Sequence, residues 1–161
     1  MRAVRFFVSA FVGFVLYQLT VLANGILAAV QIPAAYFHFF GPQHIEFGHA
    51  LLGIGMHMPP SILLVAGGVL ATERLWPTRH YLKWFPYFLG MLACLLLWEL
   101  VLSPSLAGSL RSQDSVVPAA FQSFFAIPWW AVPVVAGPWL GLGLAAWLLS
   151  RRCNAQVRSA A

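Results

Sequence analysis

Glu46 and His49 stand three residues apart in the run Glu46-Phe47-Gly48-His49. On a helix that spacing brings both side chains onto adjacent turns of one face. A carboxylate and an imidazole placed this way can reach a single metal ion, as the Glu-x-x-His pairs of di-iron helix bundles do. A complete centre of that kind needs two such pairs and two further carboxylates. This chain offers one pair and one further acid inside an apolar segment, Glu99, so only a homodimer sharing Glu99 would complete it. His57 follows on the face of Glu46 and His49, which makes Glu46, His49, His57 and Glu99 the candidate ligands of a transition metal. The plainer expectation for the pair is a solvated Glu46 at the headgroup boundary and a His49 bonded to a carbonyl.

Haem is a second chemistry for the same residues. Haem iron takes His as an axial ligand, and a haem clasped between two helices would draw one His from each. The two His residues within apolar segments, His49 and His57, lie in one segment, so His38 or a second subunit would have to supply the other ligand. Proton movement is a third, because His titrates near neutrality and a buried Glu is pushed toward it. A path across the membrane would need polar groups beyond His57. The stretch that follows is Gly, Ala, Val and Leu up to Glu73, leaving Ser9, Tyr17 and Thr20 as the weakly polar candidates.

Enzymatic chemistry finds few parts. There is no Gly-x-Ser-x-Gly elbow, Ser–Lys pair, phosphate loop or pair of aspartates, and Asp114 is the single Asp. No catalytic residue is assigned. His80, beside Arg79, reads as a solvated interfacial residue.

The elements that must position these residues follow from composition. Of 161 residues, 61% are hydrophobic and 8% charged, against about 25% charged in a soluble domain. A helix needs roughly 20 apolar residues to cross a bilayer, and four stretches qualify: Val4 to Val30, Phe47 to Ala71, Trp84 to Leu102 and Ala126 to Leu149. The fold class expected is all-α, a polytopic four-transmembrane-helix bundle forming a single integral membrane domain over 1–161.

Lys and Arg set its orientation. Arg2 and Arg5 precede the first span, Arg74, Arg79 and Lys83 join the second to the third, and Arg151, Arg152 and Arg158 follow the fourth; Arg111 alone falls in the opposite loops. Both termini are therefore expected in the cytoplasm of a bacterial inner membrane. The pI near 9.9 then reports topology and anionic headgroups, and no nucleic-acid partner is expected. Arg2 and Arg5 resemble the start of a signal peptide, but the apolar run is long and no small-residue cleavage site follows cleanly, so a retained helix is expected. Cys94 falls within the third span and Cys153 beyond the fourth, on the reducing side, where a disulfide is not expected.

At 100° per residue, Ser9, Gly13, Tyr17, Thr20, Asn24 and Gln31 share one arc of helix one. Glu46, His49, Gly53 and His57 share one face of helix two, which Gly67 and Ala71 continue with small residues. Pro59 and Pro60 should kink helix two, and Pro133 and Pro138 helix four. Gly137, Gly141 and Ala145 form a small-residue packing face. With helix one running outward and helix two inward, Asn24, Glu46, His49 and Glu99 fall in the periplasmic half, and His57 lies about 12 Å deeper than His49. Asn24, Glu46, His49, His57 and Glu99 would form one polar cluster opening outward.

These readings point first to a small integral subunit or accessory protein of a larger inner-membrane assembly. It would be held in the lipid bilayer with copies of itself or with other membrane subunits, and its polar cluster would be a structural network or an interface. A metal- or haem-binding membrane redox protein is the alternative, and a small proton-coupled transporter or channel the third.

Overall fold

The computed structural model describes residues 2–77, 83–97 and 128–159, with side chains from 3 to 151 of these. Every regular element among them is helical. The first helix, α1 (Arg2–Ala28), is 27 residues long, about 40 Å at the rise of an α-helix. It unwinds through Ala29 and Val30, whose N–H groups return to carbonyls of Gly25, Ile26 and Leu27. The connection that follows folds into a short helix, α2 (Ala34–Phe40), which begins after Pro33 and ends at Gly41. Gly41 has a φ of 65°, the left-handed region in which a residue without a Cβ carries no steric penalty.

The second long segment comes in three parts: α3 (Ile45–Leu52), a π-helical turn (Gly53–His57) and α4 (Met58–Leu75). The cause is Pro59-Pro60. Neither proline has an N–H to give, so both are best placed at a helix start, where α4 indeed puts them. The chain reaches that arrangement by widening the preceding turn, with Met58 N–H bonded to the Gly53 carbonyl five residues back. The break expected at the prolines is thus taken up as a π turn. Its extra residue rotates everything downstream by about 100° relative to a straight helix.

That rotation corrects the face expected for helix two. Gly67 and Ala71 point outward, and the buried face of α4 is Ser61, Val65, Ala66, Val69 and Glu73. In the last helix, α6 (Val132–Ser159), Pro133 occupies the first turn, where no intrahelical bond is lost, and Pro138 lies inside. A 3₁₀ turn (Trp129–Ala131) leads into it.

Helix α5 (Phe85–Leu97) completes the described elements. It packs on α1, α4 packs on α6, and α1 against α4 joins the two pairs. Both pairs rest on glycine. A Cβ on Gly13 would run into the Tyr87 backbone, and one on Gly90 into the Ala10 carbonyl. On the other side Gly137 meets Ser61 and Met58, and Gly141 meets the Ile62 backbone, with Ala145 fully buried. The small-residue face of helix four is therefore a packing face, as its spacing implies. The core between the helices is Leu16, Val65, Val69, Tyr87, Met91, Cys94, Leu142 and Leu149.

Ala3–Ala28, Ile45–Leu75 and Trp129–Arg151 are long and apolar enough to cross a membrane, and α5 is a shorter apolar helix. These helices support an integral membrane protein. Their outward faces carry Phe7, Phe11, Leu22, Ile26, Leu63, Leu140 and Leu144, the apolar coat that lipid or another subunit requires. Arg151 lies over the Trp147 ring at 4.0 Å, a cation–π contact that ties one of the C-terminal cations to the aromatic side chain one turn earlier.

Candidate functional site

The polar residues picked out by spacing separate into two groups along the second segment. Asn24 of α1 faces the π turn. Its Oδ1 lies 3.3 Å from Nδ1 of His57, which must carry the proton for a bond to form. The Asn24 amide nitrogen donates to the Ser61 hydroxyl at 3.3 Å. Ser61 has one hydrogen to give and gives it to the His57 carbonyl at 2.9 Å, the shorter of its two acceptor contacts. Ser61 thereby adds a side-chain bond to the His57 carbonyl at the start of α4, just after the prolines. With Nδ1 donating, neutral His57 keeps Nε2 as an acceptor.

Glu46 and His49 sit apart from this triad, at the α2 end of the second segment. Glu46 is exposed and accepts a bond from Nε1 of Trp129 at 2.8 Å. His49 lies between two rings, Phe37 at 5.0 Å and Trp130 at 5.5 Å. The nest is closed by Tyr36, whose hydroxyl donates to the Gly48 carbonyl at 2.8 Å. Phe40 lies so close over Gly48 that a Cβ there would meet its ring at 2.9 Å. The Glu46–Trp129 bond is exposed, so Trp129→Phe should change stability by no more than about 0.5 kcal/mol. A larger loss of melting temperature in detergent would show that this exposed contact bears more of the fold than its exposure allows.

Glu46, His49, His57 and Asn24 thus do not converge on one point. Among the described residues no three of His, Cys, Asp and Glu come together as metal ligands. Glu99 lies outside the described residues, as do Asp114, Arg111, Arg79 and His80, the side chain of Cys153 and residues 98–102 of the third expected span.

A third polar group was not visible in the spacing. Glu73, near the end of α4, is 6% exposed. The Tyr87 hydroxyl donates to its Oε1 at 3.2 Å, and Ser9 and Thr72 lie within side-chain bonding reach of Tyr87. Arg5 donates to the Pro77 carbonyl at 3.4 Å, closing the same end of the bundle. One signal could have found this site: an acid in the last turn of the helix, followed by an aromatic-rich restart at Trp84 to Tyr87. Its pairing across 14 residues depends on how α5 returns.

No protein-family model, characterised protein or solved structure matches the chain. The reading of function therefore rests on the residues themselves.

Proposed function

We propose that the chain is a small integral subunit or accessory protein of a larger inner-membrane assembly. It is a four-helix bundle with both termini on the cytoplasmic side. The observation that carries this reading is how the intramembrane polar atoms are used. His57, Asn24 and Ser61 bind one another across the α1–α4 contact, and Glu46 binds the helix start at Trp129. Each joins one helix to another, as polar residues in membrane bundles commonly do. The apolar outward faces of α1, α4 and α6 are suited to lipid and to neighbouring subunits. The cation distribution along the chain, with Arg5 at the Pro77 end of α4, supports the orientation.

Asn24→Leu deletes the acceptor for His57 and the donor to Ser61 together. It should lower stability in detergent by about 1 kcal/mol, the range of interhelical bonds in membranes, with no change in absorption spectrum or metal content. Mild extraction of the tagged wild-type protein should bring a membrane partner, or further copies of the chain, in fixed proportion. A monodisperse single chain showing a Soret band, or a stoichiometric metal lost in His49→Ala, would overturn the subunit reading in favour of a redox protein.

A further inference from the structure

The connection from Ala29 to Ile45 contains no Asp, Glu, Lys or Arg, yet it forms the helix α2. Aromatic packing on a short stretch of α3 holds that helix. The Tyr36 hydroxyl donates to the Gly48 carbonyl at 2.8 Å, and Phe37 lies 5.0 Å from the His49 ring. Phe40 covers Gly48 and lies 6.1 Å from Phe47. Ile45 begins a candidate membrane span, and Phe47 to His49 lie only about 3–6 Å along it. Trp129, which begins another candidate span, bonds Glu46 at the same end. Two span ends are therefore tied at one level, and α2 packs at that level.

Tyr36, Phe37 and Phe40 make those contacts, which leaves Ala34, Ala35, His38 and Phe39 on the exposed face of α2. Phe39 is 84% exposed, yet its ring belongs to a continuous row. It meets Phe40 at 5.3 Å, and Phe40 meets Phe47 at 6.1 Å. Phe47, Leu51 and Ile54 then form an exposed apolar ridge down the second segment, at spacings of four and three residues that keep one helical face.

The charges of the described side chains divide unevenly between the two ends. Arg5, Glu73, Arg74, Lys83 and Arg151 belong to the end where α1 starts and α4 and the last span finish, and the α2 end has Glu46. Without Lys or Arg to hold headgroups, that end must be anchored by aromatic rings, the side chains that settle at the membrane–water boundary.

We propose that α2 is an interfacial helix that docks on the phospholipid surface, with Phe39 seated where headgroups give way to acyl chains. The ridge of Phe47, Leu51 and Ile54 meets the chains below it, so the nest around His49 sets how deep this end of the bundle sits. A lipid surface fits the exposed face better than a protein does. Helix α2 is about 10 Å long, and four exposed residues on it fall well short of the roughly 800 Å² per partner that a stable protein interface takes. The proposal rests on the spanning helices and is independent of the subunit reading.

The test is a spin label at position 39 of the full chain, Phe39→Cys with Cys94→Ala and Cys153→Ser, in vesicles of phosphatidylethanolamine and phosphatidylglycerol. Collisions with oxygen, which concentrates in the bilayer, are compared with collisions with a water-soluble nickel chelate. The label should favour oxygen and report a depth of about 5–10 Å inside the headgroup boundary, that of an interfacial helix. A label at Leu51→Cys, four residues on from Phe47, should lie about 6 Å deeper. Circular dichroism checks that each labelled chain keeps its helices. Should the label at 39 disturb them, Ala35→Cys on the same exposed face carries the same expectation. A label open to the nickel chelate would place α2 in water and overturn the proposal. A label shielded from both reagents would mean that a second copy or another protein covers the face, which overturns it equally.

Discussion

Gly90→Ala should destabilise the protein by about 2 kcal/mol, although alanine is the better helix former. Two effects oppose each other. An Ala in place of Gly inside a helix is worth up to about 1 kcal/mol from propensity, and less where the unfolded form in detergent keeps its helices. Against that, the new Cβ would sit on the Ala10 carbonyl, with the Phe14 nitrogen 2.9 Å away. These are backbone atoms, so no side chain can swing aside. The helices must separate, and overpacking of that kind costs about 1–3 kcal/mol. Separation also loosens Tyr87, Met91 and Cys94, which are fully buried in the contact, so the steric term wins.

Gly13→Ala strikes the same contact from the other side, against the Tyr87 backbone, and should cost a similar amount. The double variant should cost less than the sum, because once the helices have parted the second methyl finds room. Gly67→Ala and Gly143→Ala, where nothing lies within 4 Å, should leave the protein unchanged or slightly more stable. Thermal unfolding in detergent reads all of these, with a drop of about 4–8 °C expected for Gly90→Ala. A rise for Gly90→Ala would mean that α1 and α5 are not in backbone contact. An equal drop for Gly67→Ala would make the loss a property of glycine rather than of the α1–α5 contact.

How far such contacts can be read from sequence depends on whether local geometry or chain return decides them. The arc of α1 was legible. Ser9, Gly13, Tyr17 and Thr20 are all buried, because a 27-residue helix without an interior proline keeps its 100° step from end to end. Gln31 falls off the arc because the helix stops before it. The face of the second segment was legible only as far as the π turn. Beyond it the extra residue carries Gly67 and Ala71 outward, and Pro59-Pro60 signals a break without saying how the chain will accommodate it. The connection after α1 is visibly aromatic, with Tyr36, Phe37, Phe39 and Phe40. That it places Phe37 against His49, and that Trp129 reaches Glu46 across 83 residues, follows from packing and from no local pattern. Glu73 was the largest omission. Read as the acid beyond the end of a span, it is held inside because α4 runs on to Leu75 and α5 returns Tyr87 onto it.

Tyr87→Phe tests that buried acid directly, and it should cost about 1–2 kcal/mol. The ring is fully buried and phenylalanine fills the same space, so packing is nearly unchanged and the loss isolates the hydroxyl. Interhelical hydrogen bonds in membrane proteins average only about 0.6 kcal/mol, which sets the lower bound. A bond to a carboxylate away from water is stronger, and losing the donor leaves charge less well compensated. Glu73 has further interactions of its own, which keeps the figure below about 3 kcal/mol. The decisive comparison is the same change made on Glu73→Gln. A neutral amide needs the phenol less, so Tyr87→Phe should there cost under half as much, a coupling that a double-mutant cycle measures as a free energy. Equal costs in the two backgrounds would show that the hydroxyl serves some other acceptor. A coupling of the expected sign would mean that one hydroxyl both docks α5 on α4 and holds the acid in place, so the short helix owes its position to a polar bond as much as to its glycines.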